Sequence, residues 1–194
     1  MAIYLPNKHL IFHPMMRTGS SATALFLYEI GGERVGRHHD LMKKKRPSDL
    51  IFSAVRNHFD FLVTVWHKLN EKTKIDFQKW LHIFVGSTIC SAKYQPPTGY
   101  RNTTIGVTGT HLYNNQTIQS ADRILKYETL NEDLSNLLEM EVSIPVHHVT
   151  ALKEDYRSYY NQEDIDLVNK HYGLEMKKYG YTFDNGVKRE DILN

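Results

Sequence analysis

The chain has 194 residues, of which 41% are hydrophobic and 24% are charged, and its formal net charge at pH 7 is +2. These values exclude a disordered chain, a collagen-like repeat and a disulfide scaffold, and they give no reason to expect nucleic acid as a partner. The single cysteine, Cys90, cannot form an internal disulfide, and no run of about 18 apolar residues predicts a membrane span, so we expect one cytoplasmic domain over residues 1–194.

The chain opens with a strand, a polar loop and a helix. The apolar residues 9–13 predict a buried strand, and the small polar residues 17–21 follow it. Residues 22–30 predict a helix that ends at the glycine pair 31–32. This order is the first unit of an α/β fold.

The alternation of strands and helices continues, with long irregular stretches between them. Residues 86–119 contain prolines, glycines and asparagines that predict loops, and residues 142–160 are mostly irregular as well. The further predicted strands are 50–55 and 123–127, and the further predicted helices are 59–70, 76–85, 131–140 and 162–179. We expect a short parallel sheet flanked by helices in three layers.

The loop after the first predicted strand has the composition of an anion site. It consists of Arg17, Thr18, Gly19, Ser20 and Ser21 and leads into a helix. Backbone N–H groups at a helix start and the helix dipole favour an anion there, above all a phosphate. The pentapeptide alone is more typical of a polar turn with a serine cap, and it lacks the spacing of the nucleoside-triphosphatase loop.

A second basic side chain follows the strand at residues 50–55. Arg56 comes directly after this strand, and Thr64 lies eight residues further on, about two turns into the next predicted helix. Ligands of open α/β sheets bind outside the carboxyl ends of the strands, where an arginine can bind a phosphate through two N–H groups. The two strand ends therefore predict two anion sites on one sheet edge.

Four segments, in this order, carry a family resemblance. Residues 11–21 hold the first strand and its loop, and residues 53–64 have the sequence Ser-Ala-Val-Arg-Asn-His-Phe-Asp-Phe-Leu-Val-Thr. Residues 122–130 end in an aromatic residue, Glu, any residue and Leu, and residues 155–183 form a tyrosine-rich C-terminal pattern. Together they resemble the sulfotransferases that use 3′-phosphoadenosine 5′-phosphosulfate (PAPS), especially small bacterial and carbohydrate-type members. The resemblance implies their fold, which is related to P-loop kinases.

The resemblance also implies a donor site and a reaction. The loop at 17–21 would bind the 5′-phosphosulfate, with Arg17 stabilising the departing charge, while Arg56 and Thr64 would bind the 3′-phosphate. Lys153 and Arg157 lie where related enzymes close a loop over the nucleotide, and they are further donor-binding candidates. The implied product is adenosine 3′,5′-bisphosphate, and no metal is expected.

A histidine is the expected general base. Gly36, Arg37 and His38 match a Gly-Lys-His form of the family pattern, which favours His38, and His39 is the second candidate. An imidazole near neutral pH can accept a proton from an acceptor hydroxyl. The acceptor is expected to be a small molecule or carbohydrate with a hydroxyl or amine group, although lipid and peptide tyrosine stay open.

The sequence also departs from the family pattern. The segment after the second strand typically has the sequence Val-Arg-Asn-Pro-Tyr-Asp-Arg-Leu-Val-Ser, whereas this chain has His58 in place of proline and Phe61 in place of arginine. Two alternatives therefore stay open. One is a small-molecule kinase on the same fold, and the other is a nucleotide-binding module without turnover.

Overall fold

A computed structural model describes most of the chain as two compact units. The described residues are 2–15, 17–35, 46–86, 116–144 and 154–186. The first unit comprises Met1–Arg56 and Asn115–Val149, and the second comprises Asn57–Asn114 and Thr150–Asn194. The interpretation of residues 1–194 as one domain stays a prediction.

The helices and strands follow the predicted alternation closely. The strands are β1 (Ala2–Leu5), β2 (Leu10–Phe12), β3 (Glu33–Val35), β4 (Leu50–Val55) and β5 (Arg123–Lys126). The helices are α1 (Ser20–Glu29), α2 (His58–Thr73), α3 (Phe77–Gly86), α4 (Gln116–Gln119), α5 (Leu130–Leu138) and α6 (Gln162–Tyr179). The predicted strand at 50–55 and helix at 162–179 have their predicted ends, whereas β1 and β3 were not predicted.

The first unit contains a five-stranded sheet with the strand order β3-β1-β2-β4-β5. Strand β4 is parallel to both of its neighbours, β2 and β5. Strand β1 is antiparallel to both of its neighbours, β2 and β3. The α/β class is confirmed, but the sheet is mixed rather than parallel. The reason is local, since only a 3₁₀ turn at Pro6–Lys8 and His9 separate β1 from β2, and so short a connection can join only antiparallel strands.

Both faces of the central strands β1, β2 and β4 are buried, as near-continuous apolar strands predict. In β4, Phe52 and Ala54 belong to the larger apolar cluster, whereas Ile51 belongs to a smaller one on the opposite face. The larger cluster also contains Phe26 and Leu27 of α1 and three leucines of α5. Its α5 members are Leu130, Leu134 and Leu138. This packing fixes α1 and α5 against the sheet.

The second unit consists of α2, α3 and α6 around a group of aromatic side chains. The ring of Phe77 meets that of Tyr160 edge-on with centroids 4.9 Å apart, and Phe59 meets Phe183 in the same way at 4.9 Å. Helix α6 begins with a capping box and ends at Gly180 in the left-handed conformation. Within the described residues, no helix is long and apolar enough to cross a bilayer.

Candidate functional site

The three parallel strands of the first unit end at one edge of the sheet, and polar residues follow each of them. The loop that contains Arg17 follows β2, Arg56 follows β4, and Tyr127 follows β5. Because the carboxyl ends of parallel strands share an edge, this is where ligands of α/β sheets bind. The residues at this edge are therefore the candidate site.

The described residues of the loop after β2 show one internal hydrogen bond and one unusual backbone conformation. The Thr18 hydroxyl is buried and donates to the carbonyl oxygen of Met15 at 2.9 Å, and Arg17 has a left-handed backbone with φ of 60°. A non-glycine residue in this region is uncommon and is found more often at functional sites. The loop thus has a defined conformation that its local sequence alone does not favour.

Gly19 is the N-cap of α1, and none of the described side chains forms a hydrogen bond that caps this helix. The alternative of a serine cap is therefore wrong, because Ser20 and Ser21 already belong to the first turn. The first turn also contains no acidic residue, so no side-chain charge there opposes an incoming anion. Ser20 is half-buried and Ser21 is exposed.

A side chain at position 19 would be strained and crowded. Its φ is 72°, and a Cβ there would lie 3.0 Å from Leu130 Cδ2 and 3.3 Å from Tyr127 Cδ2. The turn that begins α1 is therefore pressed against the residues that follow β5. Close approach of backbone to side chains fixes the position of the loop relative to the strand ends.

Arg56 meets the loop directly. Its guanidinium Nη1 donates to the carbonyl oxygen of Arg17 at 3.2 Å, and its Cζ lies 4.4 Å from the centroid of the Tyr127 ring. The side chain is 7% exposed. The structure thus brings together the loop at residues 17–21 and the arginine after β4, although their roles in binding stay predictions.

Tyr127 is a site residue that sequence reasoning did not single out. It was part of the resemblance at residues 122–130, but it was not assigned to the site. It begins the 3₁₀ turn Tyr127–Thr129 and is half-buried. The available signal was an aromatic residue placed directly after a strand at the ligand-binding edge.

The other predicted site residues belong to the second unit or fall outside the described residues. Thr64 is on α2 in the second unit, is 3% exposed, and its hydroxyl has no hydrogen-bond partner among the described residues. In the same unit, the guanidinium of Arg157 forms an ion pair with Asp155 at 2.9 Å and lies 4.4 Å from the ring centroid of Tyr156. The candidates His38, His39 and Lys153 lie outside the described residues.

The second unit also contains a buried titratable pair. His58 Nε2 lies 3.2 Å from Glu175 Oε2, and the His58 side chain is 0% exposed. Burial lowers the pKa of His58, while the hydrogen bond and the charge of Glu175 act in the opposite direction. The pair connects the start of α2 to α6, which indicates a structural role for His58.

The described part of the chain contains no group of three or more His, Cys, Asp or Glu side chains that could hold a metal ion. The expectation of metal-independent chemistry stays a prediction. Comparisons of the chain with protein-family models, with curated proteins and with solved structures found no match. The family resemblance therefore depends on the sequence segments quoted above alone.

Proposed function

We propose that this chain is a PAPS-dependent sulfotransferase with the three-layer, P-loop-kinase-like fold of that family. The observation that carries the proposal is the 3.2 Å hydrogen bond between the Arg56 guanidinium and the main chain of Arg17. It joins the residues that the resemblance assigns to the two phosphate groups of one nucleotide. The lone cysteine favours a reducing compartment, and we extend the proposal to the cytoplasm.

In the proposed reaction, the acceptor oxygen or nitrogen forms a bond to sulfur as the bond between sulfur and the 5′-phosphate oxygen breaks. The leaving group is adenosine 3′,5′-bisphosphate, and His38 or His39 takes the acceptor proton. Such a transfer resembles phosphoryl transfer, in which positioning and electrostatics supply most of the catalysis. Arg17 and the N–H groups that begin α1 would stabilise the charge that develops on the leaving oxygen.

Transfer of radiolabelled sulfate from PAPS to a panel of carbohydrates, small alcohols, amines and tyrosine peptides tests the proposal. We expect labelled product without added metal, and loss of that product in Arg17→Ala. Magnesium-dependent transfer of phosphate from ATP instead would establish the kinase alternative. Binding of the bisphosphate without transfer to any acceptor would establish the non-catalytic alternative.

Thr64→Val is expected to change binding and stability in opposite directions. The resemblance assigns this hydroxyl to the 3′-phosphate, so its removal should weaken binding of adenosine 3′,5′-bisphosphate by about tenfold, the cost of one hydrogen bond to a charged group. The hydroxyl is buried without a protein partner among the described residues. Its replacement by a methyl group should therefore raise the free energy of unfolding by about 1 kcal/mol.

Calorimetry and urea unfolding measure the two effects on the same protein, and Thr64→Ser is the matched control because it keeps the hydroxyl. Unchanged affinity in Thr64→Val would remove Thr64 from the donor site. A marked loss of stability would show that the hydroxyl has a structural partner.

A further inference from the structure

We infer that Tyr127 is the positioning residue for Arg56, an inference that rests on the proposed function. Its ring face lies 4.4 Å from the guanidinium carbon, a distance within the range of cation–π attraction. The role we assign is to hold the guanidinium in the orientation that receives the 3′-phosphate. Tyr127 would thereby set the preference for a nucleotide with two phosphate groups.

The register of the sheet explains why these residues meet. Strands β4 and β5 are parallel neighbours, and Val55 pairs with Lys126. Arg56 directly follows β4 and Tyr127 directly follows β5. The strand pairing therefore places them side by side at the carboxyl edge of the sheet. The contact is thus a consequence of the strand pairing and does not depend on a long surface loop.

The same ring also contacts the anion loop. A Cβ on Gly19 would lie 3.3 Å from both Cδ2 and Cε2 of Tyr127, so one ring edge is packed against the loop backbone. The guanidinium of Arg56 in turn donates to the carbonyl of Arg17 in that loop. The rigid ring of Tyr127 therefore lies between the Arg56 guanidinium and Gly19. It fixes the distance between the predicted binding positions of the two phosphate groups.

A ring face suits this role because of how arginine binds anions. The guanidinium presents its N–H donors in the plane of the group, and attraction to a ring face uses none of them. A side chain that is already ordered also loses less conformational entropy when the ligand binds. The effect of Tyr127 should therefore appear in the ratio of affinities for adenosine 3′,5′-bisphosphate and AMP.

A series of fluorinated phenylalanines at position 127 tests the inference. Fluorine withdraws electron density from the ring face and weakens cation–π attraction with little change of shape. We expect Tyr127→Phe to keep the wild-type ratio of AMP to bisphosphate dissociation constants. The ratio should then fall with each added fluorine and be about tenfold lower in Tyr127→Leu, as loss of a desolvated cation–π contact predicts.

The outcomes separate this inference from the function on which it rests. A wild-type protein that binds both nucleotides equally would contradict the proposed function and the positioning role together. A selective wild-type protein with a flat fluorine series and an unchanged Tyr127→Leu ratio would overturn the positioning role alone. The fluorine series keeps the test decisive if Tyr127→Leu does not fold.

Discussion

Replacing Arg56 by alanine is expected to weaken binding of adenosine 3′,5′-bisphosphate by about a hundredfold, the usual cost of truncating one member of a buried charge pair. AMP lacks the 3′-phosphate and should lose less than about tenfold in affinity. Some loss for AMP is expected because Arg56 also donates to the carbonyl of Arg17, which helps to hold the loop for the 5′-phosphate. Calorimetry with each nucleotide measures both changes.

Arg123→Ala is the matched control for this experiment, because it removes the same charge from an exposed position at the start of β5. It should leave both affinities within about twofold, since an exposed charge is screened by salt. Arg56→Lys keeps the charge but loses the planar guanidinium, which can bind a phosphate through two N–H groups. Its affinity for the bisphosphate should therefore lie between those of the wild-type protein and Arg56→Ala. Equal losses for AMP and the bisphosphate in Arg56→Ala would show that Arg56 only supports the loop.

His58→Ala is expected to lower the free energy of unfolding by about 3 kcal/mol. The change leaves a cavity at a fully buried position and removes the partner 3.2 Å from the Glu175 carboxylate. His82→Ala is the control, because the side chain of His82 is 43% exposed although it also faces a carboxylate, that of Asp164. The control opens no buried cavity, although it removes a partner of the buried Asp164 carboxylate, so it should cost less than His58→Ala, and urea unfolding at about pH 7.5 compares the two.

The His58 pair also gives a sign for the pH dependence of stability. In the folded protein, burial lowers the pKa of His58 from its ordinary value of 6.5. Below pH 6.5 the unfolded chain binds a proton at His58 more readily than the folded protein does. The contribution of neutral His58 to the free energy of unfolding is therefore complete above pH 6.5 and is lost as the pH falls below that value. Unfolding at about pH 7.5 and about pH 5.5 should differ less in His58→Leu than in the wild-type protein. An unchanged difference would contradict the assignment.

Much of the fold could be predicted from the sequence, because apolar periodicity marks elements that pack on a core. The run at β4 and the helical spacing of α6 gave the observed bounds of both. Strand β3 has the sequence Glu-Arg-Val and is partly exposed at the sheet edge, so it has no apolar pattern. Strand β1 is four residues long and lies directly before Pro6, and its pairing with β2 depends on the tertiary structure.

The convergence of Arg17 and Arg56 could also be predicted, since residues that follow parallel strands share an edge whatever the details of packing. The contact between Tyr127 and Arg56 could be predicted only in part. An aromatic residue directly after a strand is visible in the sequence, but its place beside Arg56 depends on the register of β4 against β5, which no local pattern encodes. The left-handed backbone of Arg17 is likewise not what the local sequence favours, since non-glycine residues seldom adopt it.

The central claim is that one sheet edge binds the two phosphate groups of a single nucleotide. Calorimetry of the wild-type protein with adenosine 3′,5′-bisphosphate, adenosine 2′,5′-bisphosphate and AMP at one salt concentration tests it most directly. The two bisphosphates have equal charge, so a difference between them reports geometry. We predict that the 3′,5′ isomer binds at least about tenfold more tightly than either of the others. Equal affinity for all three nucleotides, or binding of none, would contradict the account.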